Sequence, residues 1–394
     1  MSRAPGVHHS LMASLNELRD INRRRILDSV RHAGPADRAE LARRTGLSRA
    51  TISALVADCV AGGVLVEEPA DRAEGARGRT ATRLRLDPLA AAVVGVDFGH
   101  RHLRVAVADL NAETHAERSA DLDVDASADD ALDRAATLVR AVLQAAGVEP
   151  ARVLAVGMGV PGPVDPATET IRSAAILPGW HDVHPAAGLQ RRLALPVRIE
   201  NDANLGALGE YRHGAGRGHD DMLYLKLSSG VGAGLIFDGS LYTGASGIAG
   251  EVGHIAVEPW GPLCRCGNRG CLETLATTTA IARHVGPVDG ADLPWPSLVA
   301  LARDGDRTTL DAVRHAGTVV GQVLAGLCTA VDPGIVVVGG DLGGCRAFLD
   351  AARSTMRSGA LRPQGLDLVP AVLGDRAELL GAIDIALDAP LERP

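Results

Sequence analysis

Gly250-Glu251-Val252-Gly253-His254 is followed, after a short gap, by Cys264-Arg265-Cys266-Gly267-Asn268-Arg269-Gly270-Cys271-Leu272-Glu273. Three thiols and one imidazole fall within a short span, with a carboxylate at each end. Thiolate and imidazole are the donors a tetrahedral Zn²⁺ prefers, and four of them close its shell, leaving no position for an activated water. Such an ion shapes a loop and does no chemistry. Gly267 and Gly270 let the chain turn tightly between the last two thiols. A knot of this kind fixes Glu251 and Glu273 relative to each other, and two fixed carboxylates in a cleft suit the hydroxyls of a polyol. The alternatives are a disulfide or buried thiols. A bridge between Cys264 and Cys266 would be strained, and the spacing favours a metal.

These residues resemble the signature of the ROK family (repressors, open reading frames and sugar kinases), read here as Ala249-Gly-Glu-Val-Gly-His254 and then Cys-x-Cys-Gly-x-x-Gly-Cys-Leu-Glu. The resemblance implies a structural zinc held by His254, Cys264, Cys266 and Cys271, and sugar contacts from Glu251, His254 and Glu273. Whether the chain regulates or phosphorylates has to come from the rest of it.

At 394 residues, two or three domains are expected. Aromatics are 2% of the chain, so its cores must be built from Ala, Val and Leu. Lysine occurs once, at Lys226; the other cations are arginines, a bias that weakens any single Arg as a sign of phosphate binding. Residues 1–90 carry 15 Arg against 11 Asp and Glu, whereas the whole chain is at −8. A mildly basic head on an acidic body fits a nucleic-acid module joined to something else. No apolar run has membrane-spanning length and no signal peptide is evident. The six cysteines, three of them clustered, fit the reducing cytoplasm.

Asn16 to Arg31 reads as an amphipathic helix with Leu18, Ile21, Ile26, Leu27 and Val30 on one side, ended by Gly34-Pro35. Arg38 to Ala57 then has helix-turn-helix spacing. Ala42 is small where two helices cross, Gly46 can take the left-handed turn, and Ser48 caps the second helix. With Ile52 and Leu55 turned inward, Arg49, Ala50, Thr51, Ser53 and Ala54 point out toward a major groove, where an Arg can pair with guanine. Two short strands, Val64–Glu68 and Thr82–Leu86, flank a loop carrying Arg72, Arg77 and Arg79, which would lie along DNA as a wing. The expected DNA contacts are Arg38, Ser48, Arg49, Ala50, Thr51, Ser53, Arg77 and Arg79. This resembles the amino-terminal domain of ROK-family repressors, placed at residues 1–88.

The body, residues 89–394, uses one device twice. Ala91 to Gly99 is a buried strand reaching a tight turn, and Arg101 to Leu110 returns; Met222 to Gly230 and Val231 to Phe237 repeat the plan. A duplicated α/β lobe with a cleft between copies is expected. Lobe one spans about 89–200 plus a C-terminal helix from Glu378 to Leu387, and lobe two about 201–375. The resemblance implies an actin-like ATPase and sugar-kinase body of ribonuclease H-like fold, in which each hairpin turn cradles phosphate through backbone amides. It makes Asn201 a sugar contact and Asp202 the position of the kinases' general base; the bare reading of Asp202 is a helix cap. Cys59, Cys328 and Cys345 read as small core residues.

Kinases of this family carry Asp-x-Gly-Gly-Thr in the first turn, where this chain has Asp97-Phe98-Gly99-His100-Arg101. An imidazole and a guanidinium stand where backbone and hydroxyl should meet phosphate, so no catalytic residues are expected. Ile176 stands where many members place an Asn against the sugar. The expectation is a sugar- or sugar-phosphate-responsive regulator, working as a repressor and as a homodimer or dimer of dimers on double-stranded operator DNA. The alternatives are a sugar kinase with an added DNA head, and a constitutive DNA-binding protein whose body only dimerises.

Overall fold

The computed structural model describes residues 6–69, 82–171, 176–180, 183–287, 293–359, 361 and 366–389. Arg72, Arg77 and Arg79 lie outside the described residues.

The head opens with α1 (Gly6–Ala33), followed by α2 (Arg38–Thr45), α3 (Arg49–Ala61), β1 (Leu65–Pro69) and β2 (Thr82–Leu86). Asp37 caps α2 by accepting from the Glu40 amide, and Ser48 caps α3 by accepting from the Thr51 amide. Gly46, between the two helices, sits at φ 67, a conformation a Cβ disfavours. β1 and β2 pair antiparallel, and Ala36 adds a bridge to Leu84, so the wing is stitched to the start of the helix-turn-helix. Ile26, Leu27, Val30, Leu41, Ile52, Leu55, Val56, Leu65 and Leu84 close the small core. The apolar side expected for the first helix is buried at Ile26, Leu27 and Val30. Leu18 and Ile21 are 54% and 52% exposed, although Arg19 between them reaches Asp58 of α3.

The body begins with β3 (Ala92–Phe98), β4 (His102–Asp109), β5 (Thr114–Asp121), α4 (Ala128–Ala146), β6 (Val153–Val160), α5 (Pro185–Leu193) and β7 (Val197–Asn201). Its sheet runs β5-β4-β3-β6-β7, with β3 antiparallel to β4 and parallel to β6. Next come α6 (Asp202–His213), β8 (Met222–Leu227), β9 (Val231–Phe237), β10 (Ser240–Leu241), α7 (Glu273–Ala276), α8 (Thr278–Val285), α9 (Trp295–Arg303), α10 (Arg307–Val331), β11 (Ile335–Gly339), α11 (Arg346–Gly359), β12 (Asp367–Pro370) and α12 (Ala377–Leu387). The second sheet runs β10-β9-β8-β11-β12, again with an antiparallel hairpin beside parallel strands. The strands β3 and β11 are buried at every position, as strands covered on both faces should be.

The cores are chiefly aliphatic, with four of the nine aromatics set inside them, whereas Trp260 and Tyr242 lie exposed. Trp180, Tyr224, Phe98 and Phe348 are fully buried, and Phe98 meets Trp180 edge-on at 5.4 Å. Two helices join the halves. α12 lies on the first sheet, where Gly157 leaves room for the Ala382 carbonyl; α6 lies on the second, where Gly234 leaves room for Ala203 and Ala207. Where α6 and α12 cross, Gly209 faces the Ala377 carbonyl and Gly381 faces the Leu205 carbonyl, so the two backbones touch without intervening side chains.

The head is docked on this body. Val64 packs against the cluster of Ala91, Ala106, Leu110, Leu379 and Leu387. The Arg31 side chain is 5% exposed, donates through Nε to the Leu110 carbonyl at 2.7 Å, and pairs with Asp28 at 2.8 Å.

Candidate functional site

The strand β9 and the loop behind it carry the metal-type cluster. The Ala233 amide donates to the Gly250 carbonyl and the Leu272 amide to the Ile255 carbonyl, so both ends of the loop are tied down. Gly270 has φ +62, and a Cβ there would fall 1.6 Å from the Glu258 carbonyl, so no other residue fits. His254, Cys264, Cys266 and Cys271 bring their ligand atoms within 4.8 Å of one another. Cys264 Sγ lies 3.5 Å from His254 Nδ1, and Cys266 Sγ lies 3.7 Å from Cys271 Sγ. Tetrahedral zinc with Zn–S of ~2.3 Å and Zn–N of ~2.0 Å requires edges of roughly 3.5 and 3.8 Å. The donor set and its spacing therefore fit Zn²⁺. Burial, then the neighbouring thiols, pushes the Cys271 thiol up to about 12.

His254 faces two ways. Nδ1 looks at the thiols, while Nε2 lies 3.7 Å from Glu251 Oε2. Glu251 is pushed up to about 7, by burial first and then by the charges of Asp202 and Glu273. Glu273 opens α7, accepts from the Val231 amide at 3.4 Å, and pairs with Arg265 Nε at 3.0 Å. The knot thus carries Glu251 and Glu273 to the turn between β8 and β9 and to the start of α6.

The start of α6 is built from polar side chains that hold one another. Glu200 Oε1 accepts from the Asn201 amide at 2.8 Å and from Asn204 Nδ2 at 3.0 Å. Asn201, 8% exposed, is the N-cap: its Oδ1 accepts from the Asn204 amide, and its Nδ2 donates to the Gly162 carbonyl. An amide has two donors and two lone pairs, so each end keeps one further position. Asp202 is not the cap. Its Oδ1 accepts from the Ala203 amide at 2.8 Å, and its Oδ2 takes Lys226 Nζ at 2.8 Å. Glu378, at the start of α12, meets the same ammonium at 3.1 Å. Burial works against the charge on Lys226, but Asp202, Glu378 and Asp97 outweigh it and hold the group well above its usual value.

The turn after β3 is filled by its own side chains. His102 Nε2 lies 3.1 Å from Asp97 Oδ2, and its ring lies over Gly99, where an added Cβ would fall 2.2 Å from it. His100 Nδ1 meets Asp125 at 2.7 Å, and Arg101 meets Asp123 at 2.7 Å. Asp97 is buried, which would raise its pKa; His102, Lys226 and Arg104 together hold it below the usual carboxylate range.

In the head, Arg49, Ala50 and Ser53 are exposed on α3, Thr51 is partly covered, and Ser48 is exposed at the cap. Arg38 is partly exposed and pairs with Glu67 of the wing at 2.6 Å. Sequence reasoning did not single out His102, Arg104, Lys226, Arg265 or Glu378 as site residues. Of these, Lys226 alone carried a signal, as the one lysine in the chain.

A ROK-family signature spans residues 93–389, and a MarR-family signature covers residues 21–74. The chain belongs to the ROK family. Its head is a MarR-type winged helix and its body is the ROK sugar-kinase-like fold. The xylose repressor of Bacillus subtilis is 28% identical over 374 residues, 94% of this chain and 96% of that protein. The glucokinase of Thermotoga maritima is 34% identical over 266 residues, 64% of this chain and 82% of the kinase. Among solved structures, a ROK family transcriptional regulator homologous to E. coli MLC matches with a TM-score of 0.81 at 25% identity, over 95% of this chain and 98% of that one. A ROK family glucokinase from Streptomyces griseus, in complex with glucose and AMPPNP, matches with a TM-score of 0.66 at 32% identity, over 75% of this chain and 99% of the kinase. No helix among the described residues is long and apolar enough to cross a membrane.

Proposed function

We propose that this ROK protein is a sugar-responsive transcriptional repressor: the winged helix binds operator DNA, and the cleft of the body recognises a sugar without phosphorylating it. The observation that carries the reading is coverage. The repressor relative and the regulator structure run the length of the chain, head included. The glucokinase structure is matched almost entirely by three quarters of it, and the head is the remainder.

Asn201, Asp202, Glu251, His254 and Glu273 are the sugar contacts in this reading, with zinc on His254, Cys264, Cys266 and Cys271 holding the last three in place. Arg38, Ser48, Arg49, Ala50, Thr51 and Ser53 meet DNA in this reading, as do Arg77 and Arg79, which lie outside the described residues. The first turn does not cradle nucleotide, because His102 lies on its glycine and Asp97 is engaged by His102 and Arg104. Signal transfer follows α6 and α12. α6 starts at Asp202 and ends at Arg212 and His213, which hold Asp384 at 3.5 and 3.0 Å. Arg212 also meets Asp388 at 3.3 Å, just past the end of α12, where Leu387 and Ala389 line a small cavity together with Leu27 and Arg31 of α1. A change in lobe angle therefore reaches the base of the head. In a homodimer, two recognition helices must lie about one DNA turn, ~34 Å, or a multiple apart, so a modest rotation removes one half-site.

Fluorescence anisotropy against the DNA upstream of the chain's own gene tests this, with xylose, glucose and other monosaccharides added in turn. Sugar and operator should weaken each other by the same factor. A chain that ignores duplex DNA at low salt, or that consumes ATP with any sugar, overturns the reading.

A further inference from the structure

Lysine occurs once in this chain of arginines, and the fold places it where the two lobes meet. Lys226 lies on β8, its side chain 17% exposed, with Nζ 2.8 Å from Asp202 and 3.1 Å from Glu378. The two acids belong to different halves. Asp202 opens α6, which lies on the second sheet; Glu378 opens α12, which lies on the first. The Asp202 and Glu378 side chains are 14% and 6% exposed, so water screens the triad weakly. Just beyond it, α6 and α12 are in backbone contact at Gly209 and Gly381. The ammonium therefore ties together the first turns of the two helices that hold the lobes to each other. A buried ion group of this kind is a poor source of stability compared with apolar residues of the same size. Its position against Asp202 gives it another use.

We propose that Lys226 is a positioning residue for the sugar site, latching α6 to α12 through Asp202 and Glu378 and fixing the Asp202 carboxylate as an acceptor for a sugar hydroxyl. The inference rests on the reading of Asp202 as a sugar contact. With Oδ1 on the Ala203 amide and Oδ2 on Lys226, each oxygen keeps one lone pair, and both are held in direction. A hydroxyl donating there joins the latch instead of breaking it, so occupancy stiffens the joint between the lobes.

Two variants of the full chain separate this role from charge balance. Lys226→Met alone leaves Asp202 and Glu378 facing each other and lowers the melting midpoint. Lys226→Met/Glu378→Gln removes the excess charge and brings the midpoint back near that of the parent. In this double variant, amide hydrogen exchange over residues 203–207 and 379–383 still rises about tenfold, and calorimetric affinity for the sugar that binds the parent falls about tenfold, the scale of one charge-assisted hydrogen bond. A double variant with parental exchange overturns the latch. Raised exchange with unchanged sugar affinity overturns the positioning role. A parent chain that binds no monosaccharide refutes the sugar reading, and with it the positioning role, whereas exchange in the double variant still decides the latch.

Discussion

The turn between β3 and β4 and the turn between β8 and β9 start from one plan, a buried strand running into glycine, yet they present opposite surfaces. At the first, a Cβ on Gly99 would strike the His102 ring at 2.2 Å, and Asp97, His100 and Arg101 all have partners within the chain. At the second, a Cβ on Gly230 would meet only Glu273 Oε2, at 3.4 Å, an ordinary contact. At the first turn the His102 ring covers the glycine while Arg101 and Asp123 pair at the exposed surface; the second turn is bordered by the carboxylate that the metal-type knot delivers. Duplicated elements need not keep duplicated surroundings: the side chain three residues beyond Gly99 lies over it, and none does so at Gly230.

The largest test of this contrast is removal of the metal. The chain should hold one zinc per protomer by elemental analysis. Cys271→Ser, or a strong chelator, should remove it and lower stability by roughly 4 kcal/mol or more, since metal binding and loop folding are one equilibrium. Hydrogen exchange should rise over residues 252–273 and at the second turn, and stay unchanged at residues 97–104. An equal rise at both turns would break the comparison. Next in size is Asp97→Asn. It removes the buried carboxylate that His102, Lys226 and Arg104 face, although Arg104 keeps Asp375 at 2.7 Å, and should cost about 3 kcal/mol at pH 7. Asp97 is held below its unfolded value of ~3.9, so its contribution is complete above that value and is lost as pH falls through the lower, folded one. Urea unfolding of parent and variant should differ fully at pH 7, and the difference should begin to shrink only below about pH 4.

Much of this was legible in the chain because it is written in local rules. Ser48 before α3 and Gly46 in the turn mark the helix-turn-helix through capping and handedness. The Cys and His spacing marks the knot through ligand chemistry. The paired strand-glycine units mark the two sheets, and Glu378 to Leu387 marks the helix that joins them. What was not legible depends on partners distant in sequence. Leu18 and Ile21 have helical periodicity, but their exposure depends on which distant elements reach that side of α1. β5 is polar on most positions and pairs at one edge only, so its residues carry little strand signal. Asp202 is a natural helix cap by sequence; that Asn201 takes the cap and frees Asp202 for Lys226 follows from pairing across 24 residues, and the Glu378 contact from the far end of the chain. His102 reads as one side chain in a strand until the turn folds it over Gly99.

The smaller tests act on the glycines themselves. Gly99→Ala displaces the His102 ring, and since that ring is the free end of a side chain, the expense is the His102–Asp97 hydrogen bond and not a backbone clash. About 1–2 kcal/mol should be lost, and His102→Ala in the same chain should make the further cost of Gly99→Ala small, a coupling that a double-mutant cycle reads directly. Gly230→Ala has no ring to move and should change stability by under about 0.5 kcal/mol, the usual range away from special contacts. Its effect should fall on sugar affinity instead, because the new methyl group lies against Glu273. If Gly230→Ala proved as costly to folding as Gly99→Ala, the second turn would be as closed as the first, and the contrast between the two turns would be gone.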